Sequence, residues 1–548
     1  MGCWSKVSDS VHALVACTIG ELAGMLEEFE PVGLVQICRG WTIVAPMRWR
    51  TKLNGMTSQA SEWKSRTIRQ RCRLIGKVAS VIAKRAVELT QLSITEQRVD
   101  PVETITAELL PMCSALRFIG RHGSRVLRTR SYNALGRPVW LWGVRSRVHR
   151  KPRGQVLVLG TWNYPVFLPG VQVAQALAAG NSVLLKPAKG CEQVTACLID
   201  AFHEAGVPKS ELQMLPSDTQ AAMKAIDEGV DLIVLTGASE TGRKVLRQAA
   251  ENLTPTIMEL SGCDAVVVLP EADIARVADC IIFGLKFNAG ATCIAPRRII
   301  AEPREADSLK THLAQRLGRA ELARVHPAAR AAVATSVQNA ISAGAVDVLG
   351  GFDEQRLRDS GKMSPLVLDC VKPSDEIAAA DLFAPVTSLL RVSNISEAMG
   401  IVNQCPYRLA VSIFGGGKRA ESLAEQLDVG TVCVNDLIVP TAEPRLPFGG
   451  RGESGFGVTR GEDGLLAMSV PATISRRHGK FAPHLQPRQS TDAQTLLGAL
   501  QLLHAGTRTE RWMGLRKIFG AVRGGTSVDA DLQNQETVAP SQEKENKP

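Results

Sequence analysis

Aromatic residues are scarce in this chain, at 4% of 548. No run of eighteen apolar residues occurs, so no helix is expected to span a membrane. Thirteen cysteines are present, yet no two form a CxxC pair and none joins a histidine at zinc-ligand spacing. No metal site is therefore expected. Their odd count and scatter point to free thiols in a reducing compartment, the cytoplasm. The opening MGCWSK carries Lys6 where a myristoylation signal needs Ser or Thr. No basic region precedes the apolar VHALVACTIG, so no signal peptide is expected. The net charge is +10, and much of the basic excess lies before Arg153. Without interleaved aromatics or a nucleic-acid motif, that excess reads as solvated helix faces and not as a nucleic-acid surface.

What is present is an alternation of short apolar runs and helical stretches. The runs GQVLVLG (154–160), NSVLLKP (181–187), VDLIVLTG (230–237) and DAVVVLP (264–270) are near-continuous, as in parallel strands covered on both faces. RRIIAEP, SPLVLDCV and TVCVND follow as further strands. Helical spacing of Ile68, Ile75, Val78, Ile82 and Leu89 marks where order begins, after an extension over residues 1–58. Strands alternating with helices give an α/β doubly wound class. Near the carboxyl end, 510–524 is amphipathic and basic, with Trp512, Leu515, Ile518, Phe519 and Val522 opposed by Arg511, Arg516 and Lys517. It is expected to dock on the protein, with peripheral contact to an anionic membrane surface as the alternative. The polar stretch from Gly525 has the composition of a disordered tail.

Four residues of reactive or polar type stand where such sheets keep their sites. Cys293 lies in the small-residue turn FNAGATCIAPRR, where backbone N–H groups near a loop-to-helix junction would favour a thiolate. Glu259 ends the apolar run TIMEL, where a carboxylate needs a partner or a task. Asn163 lies in the turn after strand 154–160, and Lys186 ends the next strand, so both fall at the carboxyl edge of the sheet. Each has a plainer reading: an inert thiol, a structural ion pair, a turn residue, a solvated strand end. Their convergence favours chemistry.

The order VLGTWNYPV, LLKPAK, LTGASETGRKV, MELSG, FNAGATCIAPRR, DLFAPV and LPFGGRGESGFG, with Glu259 thirty-four residues before Cys293, resembles the NAD(P)-dependent aldehyde dehydrogenase superfamily over about residues 60 to 480. The WNYP form is similar to the branch that oxidises fatty and aromatic aldehydes. The resemblance implies a Rossmann-type cofactor domain over 59–258, carrying an oligomerisation hairpin at about 137–154, and an α/β catalytic domain over 259–435. It implies a return to the cofactor domain and an oligomerisation arm over 436–482, with a C-terminal extension over 483–548. A homodimer acting on a small aldehyde is the implied assembly.

By the same resemblance Cys293 is the nucleophile, Asn163 an oxyanion donor and Glu259 the general base. NAD or NADP would be held by Lys186, by Gly237 and Gly242 of the pyrophosphate turn, and by Asp381 and Phe383 of DLFAPV. The GxGxxG string at 450–455 reads as a loop and not as a dinucleotide fingerprint. Three positions depart from the family pattern: Asp381 replaces a glutamate, Ala238 a serine, and Lys189 a glutamate near the adenine ribose. An ammonium at Lys189 would attract a 2′-phosphate, so NADP is expected to be accepted. Two other readings compete: a CoA-acylating dehydrogenase, which generally lacks the general-base glutamate, and a non-catalytic dehydrogenase-like scaffold.

Overall fold

The computed structural model describes residues 62–523 other than residue 319, with the backbone of two short strands, Leu34–Ile37 and Trp41–Val44. Apart from those strands, the extension over 1–58 lies outside the described residues, as does the polar tail from Gly525. Two compact units are present. The larger comprises the described residues through Arg130 together with Val148–Ala472, and the smaller comprises Ser131–Arg147 and the described residues from Thr473 onward.

The larger unit contains two main sheets. The first has the spatial order Gly455–Phe456, Thr256–Leu260, Leu232–Gly237, Gln155–Leu159, Ser182–Lys186, Leu212–Met214. All are parallel except the edge strand Gly455–Phe456. The near-continuous apolar runs follow from double coverage. Val156 and Val158 face a cluster with Val173 and Leu177, whereas Leu157 and Leu159 face one with Ala222, Ile226 and Ala249. The crossovers from the central strand Gln155–Leu159 run one way to Ser182–Lys186 and the chain later returns on its other side at Leu232–Gly237. Ligands of doubly wound sheets bind at that reversal, beyond the carboxyl ends of the strands.

Helix Phe167–Ala179, which follows the central strand, is buried along its whole length. It ends at Gly180, whose φ of 102° and proximity to the Arg71 guanidinium leave no room for a side chain. Helices Ile68–Lys84 and Leu110–Val126 pack closely where Gly76 meets Gly120. The second sheet has the order Val346–Asp347, Leu366–Asp369, Val386–Arg391, Pro296–Ala301, Asp264–Val268, Ala410–Phe414, Thr431–Val434. It too is parallel apart from the edge strand Val346–Asp347.

A three-stranded sheet orders Ser469–Arg477, Val144–Pro152 and Arg130–Tyr132. The segment 137–154 is therefore not a hairpin by itself. It holds one strand, whose alternating basic and apolar residues are the two faces of that strand, and its sheet neighbours come from outside the segment. Trp140 and Trp142 are exposed. In the smaller unit, helices Asp492–His504 and Arg508–Val522 pack through Gly498 and Gly514. The amphipathic stretch is less segregated than its sequence suggests. Leu515 and Ile518 are half-buried, while Trp512, Phe519 and Val522 are exposed. Among the described residues no helix is long and apolar enough to cross a membrane.

Candidate active site

A cleft of about 1160 Å³ opens at the reversal point of the first sheet. Asn163, Lys186, Gly237, Glu259, Cys293, Asp381 and Phe383 all line it. Lys189 and Gly242 do not. Lys189 is exposed, and Gly242 packs under Leu260, whose Cδ1 would lie 2.9 Å from an added Cβ. Gly242 thus serves close packing of helix Ser239–Ala250 on strand Thr256–Leu260, and not backbone approach to a phosphate.

The turn carrying Cys293 leads into strand Pro296–Ala301, so no helix begins at the thiol, contrary to the loop-to-helix junction expected. Asn288 and Ala289 hold φ of 50° and 52°, the left-handed region that costs a side-chain-bearing residue on the order of 1–3 kcal/mol. Buried Arg297 fixes this backbone by donating to Gly290 O and Ala384 O, both at 2.7 Å. Asn163 Nδ2 donates to Ala291 O at 3.0 Å, and Asn288 Nδ2 returns a bond to Asn163 O at 3.0 Å. The Tyr164 hydroxyl meets Thr292 Oγ1 at 2.5 Å. The Asn163 loop and the Cys293 loop therefore form one bonded block.

Cys293 is half-buried against an apolar cluster that includes Phe448, Leu437 and Ile438. Burial, reinforced by the carboxylates of Asp264 and Glu259, pushes its thiol up to about 12. This environment favours the protonated form of the thiol at neutral pH. Glu259 is buried at the end of its strand and is boxed by donors. Gln172 Nε2 reaches Oε2 at 2.9 Å, Thr236 Oγ1 reaches the same oxygen at 3.1 Å, and Thr459 Oγ1 binds Oε1. Burial raises the Glu259 carboxyl above its usual range, while Arg460 and these donors oppose the shift. Arg460 is itself buried against the Phe448 ring, 3.9 Å from its centroid.

Sequence reasoning passed over Gln172, Thr236, Thr459, Arg297 and Arg460. A signal existed for Gln172, one of two amides (with Gln175) in the otherwise apolar stretch LPGVQVAQALAAG, since buried polar groups are bonded. His326 was also missed; it stacks on Trp162 with ring centroids 4.2 Å apart, and both line the cleft.

The cleft fits a dinucleotide. Asp381 Oδ1 is buried and has no hydrogen-bond partner among the described residues, as a carboxylate awaiting a hydroxyl would be. Lys186 is half-buried at the rim, and burial lowers its ammonium below the usual range. Helix Ser239–Ala250 starts at Ala238, which makes no side-chain cap, so its first-turn N–H groups suit an anion.

Comparison with known proteins agrees with this geometry. Residues 50–474 match the aldehyde dehydrogenase family. The chain is 28% identical over 458 residues to a 4,4′-diapolycopene aldehyde oxidase of Methylomonas sp, covering 77% of this chain and 85% of that protein. It is 30% identical over 428 residues to a succinate-semialdehyde dehydrogenase [NADP(+)] of Deinococcus radiodurans, covering 74% and 86%. A crystal structure of a Mycobacterium tuberculosis aldehyde dehydrogenase complexed with NAD+ superposes with a TM-score of 0.70 at 25% identity, covering 79% of this chain and 91% of that one. The chain belongs to the aldehyde dehydrogenase family and is an NAD(P)-dependent enzyme that oxidises aldehydes.

Proposed function

We propose that oxidation proceeds through covalent catalysis at Cys293 on an apolar aldehyde. The observation that carries this reading is the single cleft lined by Cys293, Glu259 and Asn163 together with Lys186, Gly237, Asp381 and Phe383. As a thiolate, Cys293 adds to the carbonyl carbon and the carbonyl oxygen becomes an oxyanion. The second Asn163 amide N–H and the Cys293 backbone N–H are the donors this loop offers to that charge. When bound, the oxidised nicotinamide supplies the acceptor for the hydride leaving the thiohemiacetal carbon. The Cys293 thioester that remains is opened by water, whose proton Glu259 takes, and the thiolate departs from the acid product. Lys186 and Asp381 would hold the ribose hydroxyls, and Phe383 would pack near the nicotinamide. Apolar Leu168, Phe383 and Phe448 of the lining, and the apolar cluster beneath Cys293, favour an uncharged, hydrophobic chain on the aldehyde. The test is reduced-cofactor absorbance with short, long-chain, aromatic and carboxylate-bearing aldehydes. Turnover favouring the hydrophobic members supports the reading, and turnover only with carboxylate-bearing ones overturns the substrate class.

NADP acceptance remains part of this proposal, carried by Lys186 at the rim and Lys189 three residues on. Lys189→Glu is expected to lower kcat/KM for NADP about tenfold while leaving NAD within about twofold, as loss of a charged contact to a phosphate would. A wild-type preference for NAD greater than tenfold removes this part of the reading.

A further inference from the structure

Behind the bonded block lies an ion pair that neither proposed step uses. Arg98 and Glu108 are 3% and 0% exposed, with Nη2 and Oε1 2.5 Å apart. A buried ion pair is weak evidence for stability, because desolvation offsets the attraction. Its other bonds give a better reason for it. Glu108 Oε2 accepts from Val166 N at 2.6 Å and from Phe167 N at 3.0 Å. It thereby caps helix Phe167–Ala179, whose N-cap residue Val166 makes no side-chain cap of its own. Arg98 Nη1 donates to Asn163 O at 3.3 Å, and its guanidinium lies 5.9 Å from the Tyr164 ring centroid. The capped helix carries Gln172, the donor to Glu259.

Glu108 belongs to a π-helical turn, Ile105–Leu109, inserted between helix Pro101–Thr104 and helix Leu110–Val126. Such turns recur at functional sites. Nearby Glu103 accepts from Asn288 N at 3.3 Å, so the same segment also grips the Cys293 loop.

We propose that the Arg98–Glu108 pair is a positioning device for both chemical steps. It holds Asn163 through its carbonyl and Glu259 through the capped helix and Gln172. The inference rests on the roles assigned above to Asn163 and Glu259.

The test is a double-mutant cycle between Arg98→Lys and Asn163→Ala, read as the rate of the first turnover per titrated active site. Lysine keeps the charge opposite Glu108 but lacks the planar fork that also reaches Asn163 O. Arg98→Lys is therefore expected to slow the first turnover about tenfold, the scale of a small misplacement. In the Asn163→Ala background the same change should cost less than about twofold, because the group it positions is gone. Equal cost in both backgrounds, or no cost in either while Asn163→Ala alone is slow, overturns the proposal. Asn163→Ala at the wild-type rate overturns instead the oxyanion reading beneath it. Glu108→Gln is paired in the same way with Glu259→Gln in the thioester-hydrolysis rate. If Glu108→Gln does not fold, the Arg98 cycle decides. A pair that served only stability would lower Tm in these variants and leave the rate per titrated site and the aldehyde KM unchanged.

Discussion

Cys293→Ala is expected to reduce aldehyde-dependent cofactor reduction by about 10⁴-fold or more, the scale on which losing a covalent nucleophile removes the shared intermediate. Cofactor binding should survive, because Lys186, Gly237, Asp381 and Phe383 remain. Residual turnover within tenfold of wild type would remove the cysteine from the mechanism. The same residue sets a pH signature. With the thiol pushed up to about 12, the reactive thiolate is a small fraction at neutral pH. Alkylation of Cys293 by iodoacetamide in the cofactor-free enzyme should therefore rise about tenfold per pH unit through the alkaline range. A plateau beginning near neutral pH would mean that another group lowers the thiol, and the turn offers no helix N-terminus to do so.

The strands were legible because doubly covered parallel strands demand uninterrupted apolar runs, and Val156 to Leu159 meet helices on both faces. Glu259 stood out for a related reason, as a carboxylate at the end of such a run. Gln172 offered the same signal inside an apolar helix and was passed over. Gly242 shows a limit of another kind. Close helix–strand packing and close approach of a phosphate both require a missing side chain, and only the position of Leu260 separates them. Arg98 and Glu108 were not legible at all. Glu108 lies fifty-eight residues before the backbone N–H of Val166 that it caps, and no local periodicity links the two. The Cys293 junction misled because small residues suit a strained turn into a strand as well as a turn into a helix.

Glu259→Gln separates the two steps. The change is nearly isosteric, so Gln172 and Thr236 still meet an oxygen at the strand end. A glutamine cannot take a proton from water, so hydrolysis of the thioester should fall by about 10²–10⁴-fold, the usual range for a general base. Formation of the thioester should persist. Glu259 is one of the carboxylates that raise the Cys293 thiol, so removing its charge lowers that pKa and enlarges the thiolate fraction at a given pH. The expected record is a rapid burst of about one reduced cofactor per active site followed by a slow steady state, with the acyl group recoverable on Cys293 by mass spectrometry. Iodoacetamide should also label Cys293 faster in this variant than in wild type at the same pH. A variant that loses the burst along with the steady state would place Glu259 in the first step as the base for the thiol. A variant that keeps full turnover would remove it from the chemistry and leave Glu259 as a structural acceptor for Gln172, Thr236 and Thr459.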